Sequence, residues 1–518
     1  MLKFLFSLQF FFIANILASD KPNMIFILAD DMGYGDMSHM GGKAKTPFLD
    51  QMAKESMWFH DAHTTSSVCT PTRYGILTGR YNWRSRLKKG VLNGFSAPLI
   101  PKERVTIANF LKGNGYHTAC IGKWHLGIGW GKSDNPWPLD GKKHGVLTTF
   151  KRKYPMIDYA KPVISPVHNG FHHFWGISAS LDMPPYVYIK DDKVLNLPST
   201  TKAFLHPNRP GPSSAQFDSM NCLKDFAREA RRYIKERAQD KSKPFFLYLP
   251  LTSPHSPIIP SKKFQGKSPL GAYGDFLMET DWVVGEVMAE LKAQGIANNT
   301  LLLFTADNGC SPIAKIPDLA DKGHKVNAHW RGHKADIYEG GHRVPFIVRW
   351  PAKVKAGAKT FSTITTADFF NTAAEIIDKT SELKSNMAED SFSFLAELTG
   401  TGKTKRTTSI HHSINGSFAI RRGKWKLCLC PGSGGWSKPR PNKNTWKQDT
   451  IIQLYNLEND QSEQKNLAKE MPEVVKELVD QLAKEIKNGR STPGEKVNND
   501  GAIPFPKALL EKFPQLKN

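Results

Sequence analysis

Long apolar runs alternate along this chain with stretches of helical period. Asn23-Met24-Ile25-Phe26-Ile27-Leu28-Ala29 is unbroken in its apolarity and stops at Asp30-Asp31-Met32-Gly33. A run of this length with no polar face predicts a strand buried on both sides, the kind that fills the middle of a parallel sheet. His117–Ile121, Pro244–Pro250, Thr300–Ala306 and Pro345–Trp350 repeat the pattern, and a shorter strand is expected over Met57–Ala62. Between them, helices are expected to open at Thr46-Pro47 and to run over Thr106–Lys112, Ser219–Gln239 and Phe276–Gln294. This strand-helix alternation predicts an α/β fold with a doubly wound sheet. Residues 128–215, rich in Pro, Gly and Lys, read as a long insertion.

In open α/β sheets ligands gather at the carboxyl ends of the strands, and here those ends carry the chain's chemistry. Asp30 and Asp31 are adjacent carboxylates whose repulsion is costly unless a cation binds them, although a bare pair of this kind is usually a solvated turn. The fourth long run ends the same way, in Asp307-Asn308-Gly309. Lys123 and His125, two apart in Gly122-Lys123-Trp124-His125-Leu126-Gly127, point the same way if their strand continues. His255 stands between prolines in Thr252-Ser253-Pro254-His255-Ser256-Pro257. In Ser66–Arg80, Cys69 precedes Pro71, which fits the first turn of a helix and places the thiol at its positive end. Arg73 follows four residues later on the same helical face. For a lone cysteine, a structural role in the core is the commoner outcome.

Cys69-Thr70-Pro71-Thr72-Arg73 followed by Leu77-Thr78-Gly79-Arg80 resembles the signature of the type I sulfatases, of the arylsulfatase A and N-acetylgalactosamine-6-sulfatase kind. Gly122–Gly127, Thr252–His255 and Arg331-Gly332-His333-Lys334 through Glu339-Gly340-Gly341-His342-Arg343-Val344-Pro345 resemble that family's further blocks. The resemblance implies an alkaline-phosphatase-like, mixed but mainly parallel sheet flanked by helices over residues 20–402. It also implies a smaller C-terminal domain over 403–518, an antiparallel sheet with a packed helix near Glu473–Lys487. It further implies that Cys69 is matured to formylglycine (3-oxoalanine) by a formylglycine-generating enzyme. A Ca²⁺, with Mg²⁺ the alternative, would be held by Asp30, Asp31, Asp307, Asn308 and an oxygen of residue 69, since hard oxygen donors in this number suit the larger ion. Arg73, Lys123 and Lys334 would offset sulfate charge, His125 would serve as base, and His255, with Lys334, would protonate the leaving oxygen. Ser180, in Ser178-Ala179-Ser180-Leu181-Asp182, fits the substrate-contacting serine loosely. Glu339-Gly340-Gly341 and Arg343 read as structural, a sharp turn and an ion pair.

Composition narrows the partner. Lys and Arg total 71 against 48 Asp and Glu, for a net charge of +23, which points to an acidic substrate or surface. There is no RNP-type aromatic motif, zinc-finger spacing or arginine-rich tail, so nucleic acid is not expected. Seven Lys/Arg between Ala62 and Lys102 face no acid in that segment, and residues 401–450 hold eleven Lys/Arg, one acid and three tryptophans. A sulfated saccharide, from extracellular matrix or a marine-type polysaccharide, is the expected substrate. Met1–Ser19, with Lys3 and then an apolar run, reads as a signal peptide and predicts export to the periplasm or exterior, with no stable membrane span. Six cysteines are too few for a disulfide scaffold. Two readings compete with a sulfatase: a phosphate or phosphonate ester hydrolase on the same scaffold, and an inactive polyanion binder. The first is disfavoured by cysteine at the nucleophile position, the second by a fully populated site.

Overall fold

The computed structural model describes residues 21–131, 157–203, 209–442, 444, 446 and 451–517, so the leader-like Met1–Ser19 lies outside the described residues. Its centre is a ten-stranded sheet. Asn23–Asp30 lies in the middle, flanked in parallel by Phe245–Pro254 and Thr300–Ala306, with Met24 opposite both Phe246 and Leu301. His117–Lys123 and His173–Ile177 extend the sheet in parallel on one side. Phe346–Arg349 turns antiparallel on the other and pairs with Met57–Phe59, the sheet being closed at that edge by Lys359–Thr360.

Alternate residues of the central strand feed two separate cores. Ile25, Ile27 and Ala29 pack beneath the helices Cys222–Ala238 and Ala272–Ala293. Met24, Phe26 and Leu28 face the helices Cys69–Thr78, Ile107–Gly113 and Phe369–Ile376. Cys222–Ala238 shows why it folds as a helix: Cys222, Leu223, Phe226, Ala227, Ala230, Tyr233 and Ile234 are buried at three- and four-residue spacing. Thr106 caps Ile107–Gly113, its hydroxyl accepting the Asn109 N–H at 3.1 Å. A small antiparallel sheet of Thr408–His412, Phe418–Arg422, Trp425–Cys428 and Gln453–Asn456 carries the helix Pro472–Asn488 on an apolar face.

Three expectations need correction. The stretch read as an insertion contributes to the central sheet, through His173–Ile177 and the edge hairpin of Ile189–Lys190 and Lys193–Val194; short strands between Gly and Pro leave little periodic signal. The strand expected over Met57–Ala62 breaks after Phe59, and Ala62–His63 pairs separately with Ile364–Thr365. The basic residues are also far less free than the local sequence suggests. Arg73, Arg80 and Arg84 are fully buried and pair with Asp307, Glu389 and Asp390. Arg406 pairs with Asp368, and Lys426 lies 3.0 Å from Glu339 and 2.8 Å from Glu463.

Asp390 shows what such pairs hold together. Its carboxylate accepts Arg84 Nε at 2.8 Å and Nη2 at 2.9 Å, the Tyr81 N–H at 2.8 Å and the Ser491 hydroxyl at 2.9 Å. Asp390→Ala strands a buried guanidinium, and we expect a loss of about 3–5 kcal/mol in urea unfolding. Asp390→Leu paired with Arg84→Met should recover most of that loss, because the isolated charge is gone. Among the described residues, no helix is long and apolar enough to cross a membrane. All six cysteines are buried and unpaired.

Candidate active site

Register brings the two acidic strand ends together. Ala29 lies beside Ala306, and the Asp307 N–H donates to the Ala29 carbonyl at 3.1 Å, so Asp30 and Asp307 leave the sheet side by side. Asp31 turns away with φ +65°, a conformation costing about 1 kcal/mol in a residue with a Cβ. It is held there on several sides: its N–H donates to Asp307 Oδ1 at 3.1 Å, and Asn308 Nδ2 donates to its Oδ1 at 2.7 Å. Lys334 Nζ lies 2.6 Å from Oδ1 and 2.8 Å from Oδ2.

Cys69 opens the helix Cys69–Thr78, which no side chain caps at its N-terminus and which Gly79 ends at φ +62°. A Cβ on Gly79 would come within 2.8 Å of the Ala388 Cα. Arg73, one turn into this helix, gives Nε and Nη2 to Asp307 Oδ2 at 3.1 and 2.8 Å and Nη1 to the Lys123 carbonyl at 2.8 Å. It therefore ties the helix Cys69–Thr78 to two strand ends. Lys123 Nζ binds Asp30 Oδ2, and Arg73 Nη2 stands 3.7 Å from Asp30 Oδ1. The Ala335 N–H donates to Ser67 O at 2.8 Å and the Lys334 N–H to Cys310 O at 3.0 Å, fixing Lys334 between the loop that leads into Cys69 and the Asp307-Asn308 turn.

The strand carrying Lys123 ends at that residue, so Lys123 and His125 do not share a strand face as expected. His125 instead adopts φ +57°, its N–H donating to Ser178 O at 3.0 Å and its Nε2 to Leu92 O at 2.8 Å. Nδ1 is buried and has no partner among the described residues. Thr70 braces the same loop, giving its hydroxyl to His125 O at 3.1 Å and accepting the Leu92 N–H at 3.2 Å. His255 donates Nδ1 to Ser256 O at 2.5 Å and leaves Nε2 3.7 Å from Asp31 Oδ2. Ser180 is buried with its hydroxyl unpartnered among the described residues, and no hydrogen bond joins it to this cluster.

Burial sets the protonation states. It pushes the Cys69 thiol up to about 11, beyond the opposing pull of Lys123 and Lys334. It holds His125 well below its ordinary value, with Lys123 and Arg73 adding to the effect. Burial works against the Asp30 carboxylate, yet Lys123, His255, Arg73 and Lys334 hold it well below the usual range. Asp307 goes the other way, up to about 7, through burial and the charge of Asp30. Asp30 Oδ1 and Asn308 Oδ1 are buried oxygens with no hydrogen-bond donor, and Asp30, Asp31 and His255 offer ligand atoms within 4.8 Å of one another. Two orphaned oxygens beside crowded carboxylates fit a hard divalent cation.

Glu339-Gly340-Gly341 and Arg343 are structural, as expected. A Cβ on Gly309 would fall 1.8 Å from Gly340 O and one on Gly340 would fall 2.4 Å from Gly332 O, so the Asp307-Asn308-Gly309 turn crosses the glycine loop at backbone contact. Arg343 Nε meets Glu339 Oε2 at 3.0 Å. Sequence reading missed the bracing groups, Leu92 O, Ser178 O and Thr70. It also missed a buried joint of His63, His342 and His411. There His63 Nδ1 lies 3.0 Å from His342 Nδ1, and the His342 and His411 rings stack at 3.9 Å. Lys426 Nζ, 3.1 Å from His342 Nε2, already supplies positive charge to this joint, which argues against a metal there.

A protein-family model described as Sulfatase matches residues 22–379. The chain belongs to the sulfatase family. An N-acetylgalactosamine-6-O-sulfatase of Bacteroides thetaiotaomicron is 33% identical to this sulfatase over 511 residues, covering 90% of this chain and 93% of that one. Arylsulfatase A of Bos taurus is 30% identical over 432 residues, 80% of this chain and 76% of that one. Among solved structures, one described under metabolism of multiple glycosaminoglycans by Bacteroides thetaiotaomicron superposes with a TM-score of 0.76 at 31% identity. It covers 90% of this chain and 99% of that one. These relatives are type I sulfatases, and the sheet described above is their alkaline-phosphatase-like fold. As a member of that family the chain is a sulfuric ester hydrolase.

Proposed function

We propose that this sulfatase removes sulfate from a sulfated carbohydrate outside the cytoplasm, with residue 69 matured to formylglycine and one Ca²⁺ at the strand ends. The observation that carries the reading is the convergence of Cys69, at an uncapped helix mouth, with three carboxylates, two lysines and two orphaned oxygens in one buried cluster. Asp30, Asp31, Asp307 and Asn308 would hold the cation, which supplies Lewis-acid stabilisation of sulfate oxygens. Matured residue 69 supplies a hydrated aldehyde, one hydroxyl to attack sulfur and a second whose deprotonation frees sulfate.

The chain's own groups fit the remaining tasks. Lys123 and Lys334 offset the charge of a bound sulfate, and Arg73 keeps Asp307 in place. His125 donates through Nε2 to Leu92 O, so its lone pair is on Nδ1 and that nitrogen is the one able to accept a proton. His255 donates through Nδ1, and its free Nε2, near Asp31, can carry a proton to a leaving oxygen. Ser180 belongs to this proposal only as a neighbour of the Ser178 brace.

The saccharide reading draws less on net charge than the sequence suggested, because Arg73, Arg80 and Arg84 are paired with remote acids. It rests on the relatives, one of which is named for N-acetylgalactosamine 6-sulfate. The test is sulfate release from a panel of defined sulfated saccharides, with that sugar first, alongside a sulfolipid and an aryl sulfate. Expected is preferred turnover of a saccharide by exported protein in which peptide mass spectrometry finds formylglycine at residue 69. Turnover of the lipid or aryl ester alone would overturn the substrate class.

A further inference from the structure

A cavity of about 600 Å³ opens apart from the site just described, and none of the candidate catalytic residues lines it. Its walls include Tyr34, His60, Trp330, Phe361, Arg421 and Lys424. His60 follows the strand Met57–Phe59, which runs in the same direction as Asn23–Asp30, so the cavity lies on the same rim as Asp30 and Asp31. Three strand spacings separate the two, or about 14 Å.

The aromatic wall is a column of rings. His39 and Trp58 stack at 4.9 Å, Trp58 and His60 at 5.2 Å, and His60 and Phe361 at 4.9 Å. The column ends at Phe361, which is 75% exposed, the largest exposure of any large hydrophobic residue among the described residues. The cationic wall faces it. Asp61 is already taken up by Arg343, by Arg421 at 2.7 Å and by His63 at 2.9 Å, and Arg343 stacks on Trp330 at 3.8 Å. Arg421 uses Nη1 on Asp61 and Nε on Gly423 O, which leaves Nη2 without a partner among the described residues. Lys424, half-exposed, stands over the Trp425 ring at 5.7 Å from its centroid and meets the more exposed Glu458 at 3.6 Å, a pairing worth little in water.

We propose that this cavity is a second saccharide subsite, which holds a sulfated sugar of the same polymer a few units away from the one being cleaved. An open aromatic ring offers an apolar face to the C–H side of a pyranose, and a guanidinium nitrogen and an ammonium beside it suit a sulfate. A protein partner would find one exposed ring and a concave, charged wall rather than a broad apolar patch. The inference rests on the carbohydrate reading above and goes beyond it by fixing a polymeric, multiply sulfated ligand.

The test uses the full chain and two variants of exposed residues, Phe361→Ala and Lys424→Ala. Calorimetric binding of chondroitin 6-sulfate, heparin and carrageenan hexasaccharides and of their disaccharides is compared with kcat/KM on an aryl sulfate. Expected is tighter wild-type binding of a hexasaccharide than of its disaccharide, weakened about tenfold in each variant, with aryl sulfate turnover unchanged. No chain-length preference in the wild type, or hexasaccharide binding equal in all three proteins, would overturn the subsite while leaving the hydrolase intact. Conversely, Phe361-dependent binding with no saccharide desulfation by matured enzyme would keep the subsite and remove the proposed function.

Discussion

Cys69→Ala is expected to lower kcat by at least about 10⁴-fold, the scale seen when a covalent nucleophile is removed. The protein should stay folded. The Cys69 thiol is buried at 2% exposure, and truncating a group this small in a core costs about 1 kcal/mol, well within ordinary stability margins. The variant also separates two chemistries. An unmatured thiol pushed up to about 11 is almost wholly neutral at pH 7, so it is a poor nucleophile as it stands. Cys69→Ser should be nearly as inactive as the alanine variant, because a single hydroxyl could form a sulfate ester but has no second hydroxyl with which to release it. Chain expressed without the maturation enzyme should show activity in proportion to the formylglycine fraction measured at residue 69. Full turnover by protein carrying only cysteine at that position would remove the proposed mechanism.

Much of this site was readable because its residues follow strands that announce themselves. An apolar run that stops at Asp30-Asp31, and another that stops at Asp307-Asn308, fix where four oxygen donors leave the sheet. Only the pairing of Ala29 with Ala306 makes them neighbours. That register depends on contacts 277 residues apart and leaves no local trace. His125 was legible as a candidate but not in its placement, because a left-handed backbone at a non-glycine residue has no sequence mark and depends on Ser178 and Leu92 holding it. The charge pattern misled for the same reason. Arg80 and Arg84 have no acid nearby in the sequence, yet Glu389 and Asp390 neutralise them across the fold. The basic strand face around Arg421 and Lys426 likewise spends most of its charge on Asp61, Glu339 and Glu463. The weakly paired Lys424 and the exposed ring of Phe361 stand out only once those pairs are subtracted.

Asp307→Asn should remove bound Ca²⁺ and activity together. The carboxylate has two duties, since its Oδ1 accepts the Asp31 N–H and its Oδ2 accepts both Arg73 bonds. An amide oxygen keeps one of these contacts in an isosteric side chain, whereas alanine would strand Arg73 at an expected cost of about 3–5 kcal/mol and confuse unfolding with metal loss. The charge balance predicts the outcome. With all three ionised, Asp30, Asp31 and Asp307 balance Arg73, Lys123 and Lys334, three against three, and a dication relieves the burial and the Asp30 repulsion that lift Asp307 to about 7. Taking one carboxylate away leaves the cluster at +1 before any cation arrives. At an effective dielectric near 20, one unit charge acting on a dication a few ångströms away amounts to several kcal/mol, so affinity should fall by about 10²-fold or more. Atomic emission on dialysed protein should find one Ca²⁺ per wild-type chain and none in the variant, with circular dichroism showing the variant folded. Wild-type protein stripped with a chelator should lose turnover and regain it on adding Ca²⁺ more fully than on adding Mg²⁺, because the donor set exceeds what a small octahedral ion uses. Normal turnover by metal-free wild-type enzyme would show that Asp30, Asp31, Asp307 and Asn308 hold no catalytic ion.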